Sequence, residues 1–177
     1  MYKSNKKGKS MCKRKLILFM LFVVPSYLAA DLLKQEVDTL EYAYVYNSNP
    51  VNLCLKNPMP FDSNGPMTSG ITHILGSSDI VLKKAGVYQV NFVGAASVRS
   101  QNGPGLSSEV SLFLNNQRIT GFGGIYGSLP LISIIIQAII TVNTGDTLII
   151  KLNGIAAIDF PFGHNSSSII IKQLASQ

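Results

Sequence analysis

Cysteine, histidine and charge are all scarce in this chain of 177 residues. There are two cysteines, two histidines and 14% charged residues, against 46% hydrophobic ones. Each shortage excludes something. So apolar and weakly charged a chain is not intrinsically disordered, and its length suits one domain with appendages rather than a multidomain enzyme. Cys12 lies in the amino-terminal segment, which leaves Cys54 alone in the body, so neither an internal disulfide nor a CxxC metal or redox motif is available. Cys54, in NLCLK with alternating neighbours, reads as a small buried strand residue, with an intermolecular disulfide as the alternative. His73 and His164 are far apart in sequence, and no GxSxG, HExxH or Walker pattern occurs. Too few titratable groups converge for a hydrolase, and the expectation is a protein without catalytic residues, metal or cofactor.

The excess of basic residues is also less than it looks. The formal net charge is +6, yet seven of the 15 Lys and Arg residues fall within the first fifteen positions (Lys3, Lys6, Lys7, Lys9, Lys13, Arg14, Lys15). Beyond them stand 8 basic and 9 acidic residues, a nearly neutral body that gives nucleic-acid binding no support. The basic stretch runs directly into LILFMLFVVPSYLAA, residues 16–30, which is uncharged, and the first acid of the chain is Asp31. That is the layout of an export signal. Fifteen residues broken by Pro25 are short for a membrane helix, which needs about 20. Residues 1–30 therefore read as a signal peptide cut after Ala30 or, failing cleavage, as a membrane anchor, and Met11 is an alternative start. Either way the basic side stays inside, and the rest is expected outside the cell or on a cell or spore surface. Residues 31–41 form a linker or short helical neck, with Leu33, Val37 and Leu40 at heptad spacing over little more than one turn.

From residue 42 to 177 the sequence is all β. Strands are expected at 42–48, 51–56, 71–75, 79–83, 87–98, 109–114, 117–122, 131–142, 147–152, 155–160 and 167–174, separated by turn chemistry. Asp62-Ser63-Asn64-Gly65, Lys84-Ala85-Gly86, Asn115-Asn116, Asn143-Thr144-Gly145-Asp146 and Asn153-Gly154 supply residues that tolerate positive φ or cap themselves. Asp62–Gly65 is read as a tight turn, since its glycine and the missing closing glutamate do not fit a calcium loop. So many short strands without a sequence repeat describe an antiparallel two-sheet sandwich of the jelly-roll kind.

Two strands speak to assembly. In 87–98 one face (Tyr88, Val90, Phe92, Gly94, Ala96, Val98) is a core side and the other is small or polar. In 131–142 both faces are apolar: Ile132, Ile134, Ile136, Ala138, Ile140 and Val142 on one, Leu131, Ser133, Ile135, Gln137, Ile139 and Thr141 on the other. The second face needs a cover, either another copy of the chain or the chain's own segment 121–130. Tyr42, Tyr44 and Tyr46 share a strand face as core aromatics, interface aromatics or a sugar-stacking platform. The glycine cluster Gly121, Gly123, Gly124, Gly127 lacks the helix a phosphate loop requires. His73, in GITHILG, reads as structural or surface rather than as a ligand, and His164 as a loop residue. Asn165-Ser166-Ser167 matches a glycosylation sequon by pattern alone.

AYVYN followed by FDSNGPMTSGITHILGSSDIVLKKAGVYQVNF resembles the opening of the carboxy-terminal domain of the Bacillus collagen-like exosporium glycoproteins. The shared positions are Phe61, Asp62, Asn64, Gly65, Gly70, Ile71, Thr72, His73, Ala85, Gly86, Tyr88, Val90 and Phe92, with looser likeness through NTGDTL to SSIIIKQL. The resemblance implies a jelly roll like that of tumour necrosis factor and the complement globular head, assembled as a homotrimer around an inner sheet, with a structural or recognition role and no enzymatic one. By that analogy Tyr44, Leu131, Ile135, Gln137, Ile139 and Ile170 are the candidates for the trimer contact. This chain departs from those glycoproteins in carrying no Gly-X-Y stalk and in opening like an exported protein. A trimeric head of a cell or spore surface layer is the expected role, with surface-layer proteins or glycans as further partners. A carbohydrate- or receptor-binding module using loops 99–107 and 161–168 is the alternative.

Overall fold

The computed structural model describes residues 39–54, 56–99, 107–126, 131–154, 157–161 and 166–177. The expected signal or anchor, Cys12, most of the neck, His164, most of loop 99–107 and residues 162–165 of loop 161–168 lie outside the described residues. Twelve strands account for most of what is described: β1 Tyr42–Tyr46, β2 Val51–Leu53, β3 Ser63–Met67, β4 Ile71–His73, β5 Ile80–Leu82, β6 Gly86–Arg99, β7 Ser107–Leu114, β8 Gln117–Tyr126, β9 Ile132–Val142, β10 Asp146–Gly154, β11 Ala157–Phe160 and β12 Ser167–Ser176. No helix among the described residues is long and apolar enough to cross a membrane.

All pairings are antiparallel, in two sheets. The first has the order β2-β11-β6-β12-β1-β3 with β9 also paired to β6, and the second has the order β4-β5-β10-β7-β8. The chain crosses between the sheets after β3, β5, β6, β8, β9 and β10, in keeping with jelly-roll connectivity. One core fills the space between the layers: Val45, Val90, Phe92, Ile134, Ile136, Ile169 and Ile171 come from the first sheet and Ile71, Ile80, Leu82, Leu112, Leu148 and Ile150 from the second. Each fully buried side chain of this size contributes about 1.5–3 kcal/mol of transfer free energy. The period-2 alternation in the sequence is what aims these residues inward. Phe92 and Phe160 meet edge to face at 6.4 Å, and Gly94 leaves the room for it, since a Cβ there would lie 2.6 Å from the Phe160 ring.

Both ends of the sandwich are tied by polar groups. At the end where β1 begins, Glu41 is buried and its carboxylate takes the Lys84 ammonium at 2.6 Å and the Gly70 amide at 2.8 Å. The Glu41 N–H donates to Gln173 Oε1 at 3.1 Å, and the Gln173 N–H donates to the Glu41 carbonyl at 2.7 Å. Gln173 Nε2 donates to the Ala85 carbonyl and the Tyr88 hydroxyl to that of Lys84. Burial disfavours the Glu41 charge, but the Lys84, Thr68 and Gly70 hydrogen bonds outweigh it and hold the carboxyl below its ordinary value. Burial and the Glu41 charge together push the Tyr88 phenol up. At the opposite end Asp62 Oδ1 accepts from Ser48 N and Ser63 Oγ, both at 2.7 Å, while Oδ2 accepts from Asn49 N and Nδ2. Although burial opposes it, these donors lower the Asp62 carboxyl to about 2.

Four sequence expectations are corrected. Ser63–Met67 is a strand rather than a tight turn. Asp62 faces back to cap the 47–49 bend, and Gly65 lets β3 lie against Tyr44, whose Cδ1 would be 2.5 Å from any Cβ there. Pro66 is tolerated because β3 is the last strand in its sheet order. Asn153-Gly154 is the tail of β10, paired to Glu109 and Ser108, instead of a turn. Cys54 is exposed rather than buried, because Leu53 takes the inward position and β2 ends there. Its thiol lies 3.6 Å from Asn52 Oδ1. Tyr42, Tyr44 and Tyr46 are not core aromatics, since Ala43 and Val45 take the inward side of β1. Elsewhere the turns match their chemistry: Asn115 and Asn116 have φ of 49° and 64°, and Gly145 has φ of 90°.

Candidate functional site

Among the described residues no three His, Cys, Asp or Glu side chains could share a metal ion. His73 is buried and structural, with Nδ1 2.6 Å from Asn64 Oδ1, Nε2 3.0 Å from the Ser77 carbonyl, and its ring edge-on to Phe61. A polar recess of about 350 Å³ is lined by Asp79, Asn115, Asn116, Thr147 and Ile149, but Asn115 is already bound to Asp146 and Thr147. Gly121, Gly123 and Gly124 lie within strand β8.

The feature that stands out is the outward face of the first sheet. On β9 the inward set is Ile134, Ile136, Ile140 and Val142, and the other parity points out. Ile135 is 55% exposed and Ile139 70%. Across the sheet the registers align these residues in rows. One row runs Tyr44, Ile170, Asn91, Gln137; the next runs Tyr46, Ser168, Val93, Ile135; a third runs Tyr42, Lys172, Gln89, Ile139. Val93 and Ile170 are each 48% exposed, and Leu131, directly before β9, is 45% exposed. Tyr44 and Tyr46 are half-buried and stacked on each other, with ring centroids 5.1 Å apart. From β1, β12, β9 and Val87–Ala95 of β6, the outward set contains one charged residue, Lys172.

Of the six positions chosen from the sequence, Tyr44, Ile135, Gln137, Ile139 and Ile170 fall on this one face and Leu131 is exposed at its edge. Tyr42 and Tyr46, which the sequence placed on one strand face with Tyr44, belong to the same face, and Val93 with the polar pair Asn91 and Gln89 belongs to it too and was missed. Their signal was present in the small-or-polar parity of 87–98, where Val93 interrupts the polar run. Among the described residues nothing covers the face. The face carries β-branched side chains in flat rows and almost no charge, an exposed apolar patch on a sheet.

No family model and no curated protein matches the chain. Solved structures do. The Eiger tumour necrosis factor of S. frugiperda superposes with a TM-score of 0.63 at 15% identity, covering 78% of this chain and 94% of that one. The globular domain of zebrafish complement 1qA gives 0.55 at 13%, covering 77% and 99%, and murine APRIL at pH 5.0 gives 0.56 at 10%, covering 77% and 100%. At these identities the likeness is one of fold, and the fold of residues 39–177 is a jelly roll of the tumour-necrosis-factor and complement-globular-head kind.

Proposed function

We propose that the chain is a non-enzymatic, homotrimeric head carried outside the cell, serving a structural or adhesive role in a surface layer. The observation that carries this reading is the row-ordered apolar face of Tyr44, Ile170, Val93, Ile135 and Ile139, exposed in a single chain and nearly free of charge. Left open, it would be an aggregation hazard. A second copy supplies a matching surface without invoking any other protein, and a closed ring of copies leaves no open apolar edge. Support for a surface role is separate and comes from the basic-then-apolar amino terminus and from the resemblance to exosporium carboxy-terminal domains at Phe61, Asp62, Gly70–His73 and Ala85–Phe92.

The test is the protein mass of the full chain in mild detergent, by light scattering, for the wild type and for Ile135→Lys and Ile139→Lys. Stable interfaces of this class bury roughly 2,000 Å² or more. A wild-type trimer that falls to monomer in both variants is expected. A wild-type monomer at micromolar concentration would sink the proposal.

A further inference from the structure

The open face is not apolar throughout. At its centre, on neighbouring strands and directly in register, stand Asn91 of β6 and Gln137 of β9. Their side chains share one surface at cross-strand distance. The Asn91 Oδ1 atom is closed off from solvent yet has no hydrogen-bond partner. Gln137 is exposed. Around the pair lie Ile170, Val93, Ile135 and Ile139, which give neither amide a donor or an acceptor. A polar oxygen that has lost water and gained nothing costs more than either alternative, and native structures rarely leave one so.

We infer that Asn91 and Gln137 form an amide ring at the centre of the self-association interface, and that this ring, rather than the surrounding isoleucines, fixes the number of copies and their register. The inference rests on the trimeric reading above. Within one chain the Gln137 Nε2 group can turn to donate to Asn91 Oδ1, which satisfies the orphan oxygen. That leaves Asn91 Nδ2 as a donor and Gln137 Oε1 as an acceptor, both facing outward. Each copy then offers amide N–H donors and an amide acceptor, so a donor of one copy meets the acceptor of the next. Repeated around a rotation axis, the pattern is complete only when the ring closes. The occupant it selects is therefore another copy of this chain. Apolar rows slide and accept alternative stoichiometries, whereas a buried amide set tolerates one arrangement, as polar core positions do in coiled coils.

Gln137→Leu is the decisive variant, because the residue is exposed in the single chain and its replacement leaves the sandwich core untouched. Leucine adds apolar surface, so a purely hydrophobic interface would tighten. The amide ring predicts the reverse, since each Asn91 loses both its donor and its partner: dissociation of the full chain, followed by native mass spectrometry across a dilution series in mild detergent, moves to at least tenfold higher protomer concentration. Asn91→Leu with Gln137→Leu should return association to near the wild-type range while spreading the population over dimers, trimers and tetramers. A Gln137→Leu trimer as tight as the wild type, or a double variant that keeps a single sharp trimer, overturns the amide ring while leaving the trimeric reading intact. A wild-type monomer overturns both.

Discussion

The buried carboxylate of Glu41 and the glycine beside it make a two-residue test of how this sandwich is closed. Gly70 donates its N–H to Glu41 Oε2 at 2.8 Å, and a Cβ on Gly70 would stand 2.6 Å from both that oxygen and Cγ. Because its φ lies outside the left-handed range, Gly70 is needed for space rather than for backbone freedom. Gly70→Ala alone forces a methyl into a carboxylate that Lys84 holds in place, an overpacking that costs about 3 kcal/mol. Glu41→Ala alone strands the Gly70 N–H in a buried position, about 1–3 kcal/mol, and releases Lys84, which is 44% exposed and recovers most of its loss from water. The sum for that change is also about 3 kcal/mol. Simple addition gives about 6 kcal/mol for the double variant. With the carboxylate gone the methyl has room, so the double variant should cost only about 3–4 kcal/mol, a coupling of about 2–3 kcal/mol. Urea unfolding at one fixed protomer concentration measures it, since self-association adds to apparent stability. With a slope of about 2 kcal/mol/M, each single change lowers the midpoint by about 1.5 M and the double by about 2 M rather than 3 M. Additivity within about 0.5 kcal/mol would refute the claim that Glu41 and Gly70 are packed against each other.

Three further outcomes follow from the fold. Phe160→Ala removes a fully buried ring from its edge-to-face partner Phe92 and should cost about 3–5 kcal/mol in the same unfolding experiment; a loss under 1 kcal/mol would contradict the packing. Asn116, at φ 64°, should accept glycine with little change in stability, whereas Asn116→Val should cost at least about 1 kcal/mol, as read from thermal melts. Asp62 has a folded value of about 2, below its unfolded value near 4, so its contribution is complete above about pH 4 and is lost as pH falls toward 2. An Asp62→Asn variant should accordingly be less stable than wild type at pH 6, with the gap closing toward pH 2, and a gap independent of pH would exclude this assignment.

How far the sequence could be read depended on whether a residue's role was settled by its own parity or by a neighbour distant in the chain. β9 and β6 are long, and their alternation separates Ile134 and Ile136 from Ile135, and Phe92 from Val93, without knowledge of the fold. β3 shows the opposite case. SNGPM has no strand propensity, and it is extended because β1 offers an edge and Tyr44 has room only over Gly65. Cys54 was misplaced by a single position, since nothing local indicated that β2 stops at Leu53. The five clustered site residues were legible as exposed apolar parity combined with a fold resemblance. Asn91 was not, because a lone asparagine on a polar strand face means little until Gln137 and the isoleucines are seen beside it.

β12 has a consequence for the order of events on the way to the native state. It is the last of the described strands in the chain, yet it lies between β1 and the long β6, paired to β6 along most of its length and to β1 over Ser168–Lys172. Until Ser167–Ser176 is in place, β1 has only β3 to pair with, and one edge of β6 stays open along most of its length. The sheet that carries the outward apolar face therefore cannot be finished before that segment is in place. Completing that face waits on contacts distant in sequence, a topology that slows folding.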